Sequence, residues 1–236
     1  MPEEKSRRHS NIALLIDADN ASPGDLESAL NILGDLGTVN VRRIYGNWTK
    51  TGLRGWAKIV HRHAIEPQQQ FDITKGKNAT DMKMAIDAMD LLYGGHVDGF
   101  GIMSSDSDFM PVAMRIRQNG LPVYGFGASK APEGFRQSCT RFIDLGNLPP
   151  DGDVDGGADK PEIGDELIQL LSQAVKASKR DENGYASLSE IGQRVANRSS
   201  FDTRSYGFSG LSELVQSLPQ FTTEKRGDGI FVKRLR

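Results

Sequence analysis

Short apolar runs alternate with amphipathic segments through the first part of this 236-residue chain. Asn11–Ile16 is an almost wholly apolar run and predicts a buried strand. Ser22 and Pro23 supply a cap and a first-turn proline for a helix that we expect to end near Leu33. The same criteria predict strands at Asn40–Tyr45, Ala64–Gln70, Phe100–Ser104, Leu121–Phe126 and Arg141–Ile143, and helices at Leu53–His63, Ala79–Leu92, Phe109–Gln118 and Pro132–Ser138. This alternation indicates an α/β fold whose mostly parallel sheet has helices on both faces.

A second pattern begins after Pro149–Lys160, a Pro-, Gly- and Asp-rich stretch that predicts a flexible linker. Ser187 and Glu190 have the spacing of a capping box. The predicted elements are helices at Ile163–Ala177, from Ser187, and at Gly210–Ser217, then a hairpin of Phe221–Glu224 and Ile230–Lys233 around Arg226–Gly229. Three helices followed by a two-stranded wing predict a small winged-helix domain. We therefore expect domains at 10–148 and 162–236, joined by a linker at 149–161.

Composition restricts the class of protein. Hydrophobic residues make up 37% and charged residues 25% of the chain, which is typical of soluble globular domains. No apolar stretch approaches the roughly 18 residues of a membrane span, so no membrane partner is expected. The first ten residues predict a disordered leader rather than a signal peptide. Cys139 is the single cysteine and has no motif partner, which excludes an internal disulfide and predicts a cytoplasmic location.

The net charge of −2 does not indicate a nucleic-acid-binding protein, but the charge distribution does. No acidic residue lies between Leu36 and Ile65, and aromatic residues are interleaved with the cations there. Cations bind phosphates and aromatic faces stack on unpaired bases. The candidate RNA-binding residues are Arg42, Arg43, Trp48, Lys50, Arg54 and Lys58. The alternative is a solvated helix face with two core tryptophans.

Three acidic clusters follow predicted strands or open predicted helices. Asp17 ends the first strand, Asp81 opens the long helix, and Asp106 and Asp108 follow the fourth strand. In parallel sheets, ligands bind at the carboxyl ends of the strands, where the strand order reverses. Oxygen-only clusters suit Mg²⁺ or Mn²⁺, which can activate water. Each cluster also has a structural alternative as a helix cap, a first-turn acid or a turn residue.

Two further acids lie on the helix that Asp81 opens. At about 100° per residue, Asp87 points about 120° and Asp90 about 180° away from Asp81. We expect both to be structural or outer-shell groups.

These ordered motifs resemble the NYN domain over about residues 10–147, and more narrowly its bacterial LabA-like branch. The matching pieces are Asp17-Ala-Asp-Asn20, the segment from Lys75 through Asp81 and Asp90, and Ser104-Ser-Asp106-Ser-Asp108-Phe109. The resemblance implies a three-layer, Rossmann-like domain of the PIN-like nuclease group, and a ribonuclease that depends on Mg²⁺ or Mn²⁺. It implies that Asp17, Asp81, Asp106 and Asp108 are the catalytic metal ligands. Phosphate or water would be positioned by Asn20, Ser104, Ser105, Lys77 and Asn78.

The C-terminal segment resembles a LOTUS (OST-HTH) domain over about residues 162–236, chiefly in Gly184–Gly192, Phe201–Phe208 and the Tyr206-Gly207 pair. The resemblance implies an RNA-associated winged helix. Its charge is nearly balanced, with 11 basic against 10 acidic residues, so strong nonspecific RNA binding is not expected. Arg204, Lys225, Arg226, Lys233, Arg234 and Arg236 are nevertheless candidates for a basic face near the wing. Docking to another protein is the alternative role, and a homodimer is a further partner that the sequence allows.

Two other functions compete with the ribonuclease. A haloacid-dehalogenase-like phosphatase also begins with Asp-x-Asp, here Asp17 and Asp19, but it needs a lysine that is missing between Leu91 and Asp106. It also leaves Asp81 without a role. The second alternative is a noncatalytic RNA-binding adaptor that keeps the nuclease fold.

Overall fold

The structure is a computed structural model that describes residues 10–71, 78–147, 163–227 and 229–235. A six-stranded sheet has the order β3-β2-β1-β4-β5-β6. Its strands are β1 Asn11–Asp17, β2 Thr38–Gly46, β3 Glu66–Gln69, β4 Gly99–Met103, β5 Val123–Gly127 and β6 Arg141–Asp144. β1 pairs in parallel with β2 and β4, β2 with β3, and β4 with β5. The predicted Rossmann-like architecture is therefore confirmed.

Strand order reverses between β1 and β4. The chain first winds outward from β1 through β2 to β3, and then returns to place β4 on the other side of β1. β1 is buried from Ile12 through Asp17 and β4 over all five residues, because each is covered on both faces. The carboxyl ends of these two strands therefore define the point where such sheets bind their ligands.

The helices that accompany this sheet are α1 Leu26–Gly34, α2 Arg54–Ala57, α3 Ala79–Gly94, α4 Met110–Gln118 and α5 Glu133–Ser138. A 3-10 turn at Pro23–Asp25 precedes α1, and the Ser22 hydroxyl accepts a hydrogen bond from the Gly24 N–H, as the predicted cap requires. The predicted helix at Leu53–His63 is wrong in its length. α2 ends at Ala57, turns follow, and Ala64 has a positive φ of 50°. The His63 carbonyl, at the end of the predicted helix, instead accepts a nonlocal hydrogen bond from the Arg42 guanidinium of β2 at 2.9 Å.

Asp87 anchors α3 to the sheet. Its side chain is 5% exposed and accepts hydrogen bonds from the Tyr45 hydroxyl at 3.1 Å and the Lys83 ammonium at 2.6 Å. Arg43 lies 3.5 Å from the same carboxylate. Burial and the Asp87 charge hold the pKa of Tyr45 well above its ordinary value, so the phenol remains a neutral donor. The predicted structural role of Asp87 is thus confirmed by its contacts.

The C-terminal unit combines helices with a small sheet. Its elements are α6 Asp165–Ala177, β7 Ala186–Ser187, α7 Leu188–Arg198, α8 Leu211–Ser217, β8 Phe221–Arg226 and β9 Gly229–Arg234. The sheet order is β7-β9-β8, and β8 and β9 form the predicted antiparallel wing. Leu171, Ile191 and Leu214 from the three helices meet Val232 of the wing in one buried core. This is the predicted winged-helix architecture.

The predicted capping box at the start of α7 is wrong. Ser187 is the N-cap residue, but its side chain makes no capping hydrogen bond and its hydroxyl lies 2.8 Å from the Ser189 hydroxyl. Glu190 instead accepts hydrogen bonds from the Lys179 N–H and the Arg194 guanidinium. The backbone of Ser187 pairs with β9, and this strand pairing replaces the local motif.

The chain divides into two compact units between Thr140 and Arg141. The predicted linker at 149–161 lies outside the described residues, as does the predicted leader apart from Ser10. None of the described helices combines the length and apolarity that a membrane crossing requires.

We expect Tyr45→Phe to lower the free energy of unfolding by about 2 kcal/mol, because it removes a buried hydrogen bond to a charged acceptor. Urea denaturation would measure the change. Tyr93→Phe is the matched control, since Tyr93 is exposed and should change stability by less than about 0.5 kcal/mol. Equal effects of the two substitutions would show that the Tyr45–Asp87 contact does not anchor α3.

Candidate metal centre

Asp17 is the buried centre of the strand-end site. It ends β1 with a relative exposure of 1%. Its Oδ2 accepts hydrogen bonds from the Asn20 amide and the Ser104 hydroxyl, both at 2.8 Å, and its Oδ1 accepts one from the Asp19 N–H at 3.1 Å. Asn20 and Ser104, which were predicted to position phosphate or water, are therefore the groups that hold Asp17 in place.

The loop after β4 is ordered by short-range hydrogen bonds. The Asp106 N–H donates to the Ser104 hydroxyl at 3.0 Å, and the Asp106 carboxylate accepts from the Asp108 N–H at 2.9 Å. Asp106 thereby caps the 3-10 turn that leads into α4, so the structural alternative for this residue describes one of its contacts. The Ser105 hydroxyl accepts from the Ala128 N–H at 3.1 Å and ties the loop to the end of β5.

Three carboxylates from two separate elements converge at this edge. Asp81 from the first turn of α3 joins Asp106 and Asp108, with one oxygen of each within 4.8 Å of the others. The Asn78 amide donates to the Asp108 carboxylate and so links the start of α3 to the β4 loop. Asp17 is not in this group of three, and Lys77 lies outside the described residues. The cluster offers the oxygen-only donors that Mg²⁺ and Mn²⁺ prefer.

The carboxylates destabilise one another's charged forms. The pKa of Asp81 is raised to about 6, chiefly by burial and then by the charges of Asp17, Asp106 and Asp108. Burial also raises the pKa of Asp17, although its hydrogen bonds from Asn20 and Ser104 oppose that shift. A divalent cation would relieve this repulsion, so the electrostatics of the site fit a metal.

Asp19 is a residue of this site that was not among the predicted ligands. Its charge raises the pKa of both Asp17 and Asp81, and its carboxylate lies 3.6 Å from the Lys50 ammonium. Asp19 was visible in the Asp17-Ala-Asp19 motif, but the pattern of strands and helices did not indicate that its side chain would contribute to the site.

The predicted basic stretch separates into two groups. Arg42 donates to the main-chain carbonyls of Val39 and His63, and Arg43 pairs with Glu66 and Asp87. Their guanidinium groups therefore stabilise the edge of the sheet. Arg54 and Lys58 are exposed one helical turn apart, and Lys50 is also exposed.

The two tryptophans also differ. Trp56 is 1% exposed and belongs to the core, as the structural alternative predicts. Trp48 is half-buried and donates its indole N–H to the Gln68 carbonyl at 3.1 Å.

Burial raises the pKa of the Cys139 thiol to about 12, which is opposite to the shift that activates a nucleophilic thiolate.

Comparisons with known proteins match both parts of the chain. The model of the NYN domain matches residues 11–146, and that of the OST-HTH/LOTUS domain matches residues 160–232. An uncharacterized protein of Methanocaldococcus jannaschii is 28% identical over 148 residues, which cover 60% of this chain and 57% of that protein. The crystal structure of a protein of unknown function from Vibrio parahaemolyticus superposes with a TM-score of 0.50 at 18% identity, over 59% of this chain and 95% of that one. This last likeness shows the fold alone.

We expect Mn²⁺ to raise the melting temperature much more at about pH 7.5 than at about pH 5, because Asp81 must lose its proton to bind an ion. Below pH 6 the apparent metal affinity should fall by up to tenfold per pH unit. Without metal, the stability of the protein depends on pH in the opposite direction. The raised pKa of Asp81 means that its contribution to stability is lost as pH rises from about 4 towards 6. Thermal melts with and without Mn²⁺ measure both effects.

Asp81→Asn is the control for this titration, since it replaces the titratable carboxyl group by an amide of the same shape. It should make the remaining Mn²⁺ shift less dependent on pH over this range. A wild-type shift of equal size at both pH values would contradict the assignment of Asp81.

Proposed function

Because this chain belongs to the NYN domain family, we propose that it is a metal-dependent endoribonuclease that hydrolyses RNA phosphodiester bonds. The observation that carries the proposal is the convergence of Asp81, Asp106 and Asp108 within 4.8 Å at the carboxyl edge of the sheet. The NYN and LOTUS matches support a nuclease-like domain followed by an RNA-binding module. They favour this activity over a haloacid-dehalogenase-like phosphatase, in which Asp81 has no role.

Asp81, Asp106 and Asp108 would hold Mg²⁺ or Mn²⁺. When bound, such an ion lowers the pKa of water and polarises a phosphoryl oxygen, which are the two requirements of phosphodiester hydrolysis. The chain supplies the geometry. The cap that Asp106 makes to the Asp108 N–H fixes the β4 loop, and Asn78 orients the Asp108 carboxylate. Both acids are therefore positioned before a ligand binds.

Asp17 would be the fourth ligand. A carboxylate has about four lone-pair sites, and the contacts of Asp17 with Asp19, Asn20 and Ser104 occupy three of them. The remaining site is on Oδ1, where it can face an ion or a water molecule. Among the neighbouring acids, Asp17 raises the pKa of Asp81 most, which supports placing both carboxylates at the same site.

RNA would approach over the exposed residues of the basic stretch. Arg54 and Lys58 present two positive charges on one helical face, and Trp48 adds a half-buried aromatic side chain. Lys50 lies 3.6 Å from the Asp19 carboxylate and so places a positive charge beside the acidic site. These cations would hold the phosphates that flank the scissile bond. Arg42 and Arg43, which are engaged in the fold, would contribute mainly by their charge.

The C-terminal unit would raise RNA affinity without contributing chemistry. A tethered second contact is intramolecular, so avidity grows through effective concentration. Arg226 of the wing is not available for phosphate binding, because it pairs with Asp181 and Glu224. Its guanidinium also lies about 5 Å from the ring centroids of Tyr185 and Phe231. Lys225 and Arg234 are exposed and better placed for phosphate contacts. The expected contribution is therefore moderate and specific rather than broadly electrostatic.

We expect Asp106→Asn to reduce Mn²⁺-dependent cleavage of labelled RNA by at least about 100-fold, because Lewis-acid stabilisation is several kcal/mol and each 1.4 kcal/mol is tenfold in rate. Asparagine keeps the oxygen that caps the Asp108 N–H, so the loop should remain ordered. RNA binding should be unchanged or tighter, since one repulsive charge is removed.

The matched control is Asp98→Asn, an exposed acid that accepts from the Asn11 N–H at the opposite end of β1. It should cleave like the wild type. Wild-type protein that binds RNA but shows no Mg²⁺- or Mn²⁺-dependent turnover would instead identify a noncatalytic adaptor.

Replacing Arg54 and Lys58 together by alanine should weaken RNA binding and flatten its salt dependence. For a single strand, each lost phosphate contact reduces the slope of log K against log salt by about 0.7. Binding titrations at several salt concentrations measure it. The exchange Arg54→Lys with Lys58→Arg keeps both charges and should keep the slope. An alanine pair with the wild-type slope would place the RNA elsewhere.

Removing residues 149–236 should raise the RNA concentration needed for half-maximal cleavage while leaving the saturated rate within about twofold, because avidity is lost but the carboxylates remain. Circular dichroism must first show that residues 1–148 fold, as the predicted boundary requires. An unfolded fragment would contradict that boundary. A folded fragment with unchanged RNA affinity would assign the C-terminal unit to protein docking.

A further inference from the structure

Helix α3 is apolar on the side that faces away from the sheet. Its buried side includes Met84, Ala88 and Leu92. On its outer side, Met82 is 62% exposed, Ile86 53% and Tyr93 61%. A surface helix ordinarily carries polar residues there, and a row of exposed apolar residues marks an interaction surface.

The spacing of this row identifies the geometry of a partner. Met82, Ile86, Met89 and Tyr93, hereafter the α3 stripe, are separated by four, three and four residues, and Met89 is half-buried between its exposed neighbours. At about 100° per residue they fall within roughly 60° of arc, which is the seam of a coiled coil. The order four-three-four is the same from either end. A second α3 that runs antiparallel would therefore place Met82 opposite Tyr93 and Ile86 opposite Met89, and the two-fold symmetry would make each of these pairs occur twice.

The charges beside the α3 stripe favour the same arrangement. Lys83 and Asp90 are seven residues apart and lie on one flank of the stripe. In an antiparallel two-fold pair like flanks face each other, so Lys83 of each copy would face Asp90 of the other. In a parallel pair this flank would face Ala85 and Leu92 instead. Asp90 is exposed, whereas Lys83 also contacts Asp87 within its own helix.

One end of the α3 stripe is held rigid by the neighbouring helix. Arg115 of α4 donates from Nε and Nη2 to the Tyr93 hydroxyl at 2.9 Å and 2.5 Å. Its guanidinium carbon lies 5.8 Å from the centroid of the Tyr93 ring. An exposed aromatic side chain that is already ordered loses little conformational entropy on binding.

We propose that the α3 stripe is a homodimer interface at which the α3 helices of two copies pack antiparallel about a two-fold axis. The self-complementary spacing and the Lys83–Asp90 exchange are the features that an isologous contact needs. Two helices of 16 residues bury less than the roughly 1,200–2,000 Å² of a standard stable interface. The dimer should therefore form at micromolar rather than nanomolar concentration.

Sedimentation velocity of the full chain from about 1 to 200 µM is the test, with dissociation constants near this range expected. The wild type should shift from monomer to dimer across it. Ile86→Lys should remain monomeric with an unchanged circular dichroism spectrum, because residue 86 is exposed. Leu235→Lys replaces another exposed apolar residue, in the C-terminal unit, and should dimerise like the wild type. Asp90→Lys should weaken dimerisation at least tenfold by placing lysines opposite each other.

A wild type that stays monomeric throughout would overturn the proposal, as would an Ile86→Lys variant that dimerises normally. An Asp90→Lys variant with wild-type dimerisation would overturn the antiparallel arrangement. If the wild type is monomeric and Ile86→Lys instead weakens RNA binding, the stripe contacts RNA and the homodimer is wrong. None of these outcomes depends on whether the carboxylate cluster cleaves RNA, since the readout is mass.

Discussion

The hydrogen bond from the Ser104 hydroxyl to Asp17 joins the carboxyl ends of the two central strands. The same hydroxyl accepts from the Asp106 N–H, so one oxygen fixes the end of β1 and the start of the β4 loop. The arrangement is possible only because the strand order reverses between β1 and β4 and makes these strands neighbours. The positions of Asp106 and Asp108, and through Asn78 the start of α3, all depend on this junction.

The fold accepts an electrostatic cost at this junction. Burial raises the pKa of Asp81 most, and the neighbouring negative charges of Asp17, Asp106, Asp108 and Asp19 raise it further, so the site disfavours the ionised form of Asp81 without a cation. Elsewhere in the same domain, buried charge is compensated. Asp87 is as buried as a core residue, yet it contacts Tyr45, Lys83 and Arg43. The contrast separates an acid that stabilises the fold from acids that need a ligand.

The basic residues divide in a similar way into those that stabilise the fold through their contacts and those that remain exposed. Arg42 and Arg43 alternate along β2 and are engaged by main-chain carbonyls and by Glu66 and Asp87. Arg54 begins the short helix α2, Lys58 follows its last residue, and both remain exposed. In the C-terminal unit, Arg226 is paired with two acids. A count of cations therefore overstates the charge that is free to meet a phosphate backbone, and the exposed lysines and arginines are the informative ones.

The sequence by itself determined the order and type of the elements, because periodicity reports which residues a strand or helix must bury. It also placed Asp17, Asp81 and the Asp106–Asp108 pair at one edge, since parallel strands share their carboxyl ends. Tertiary contacts decided the rest. The Leu53–His63 helix is shortened and the Ser187–Glu190 capping box is replaced by strand pairing, because nonlocal contacts outweigh local propensities of about 1 kcal/mol. Which carboxylates lie within 4.8 Å, and which arginines are already paired, depend on side-chain directions that spacing along a chain does not specify.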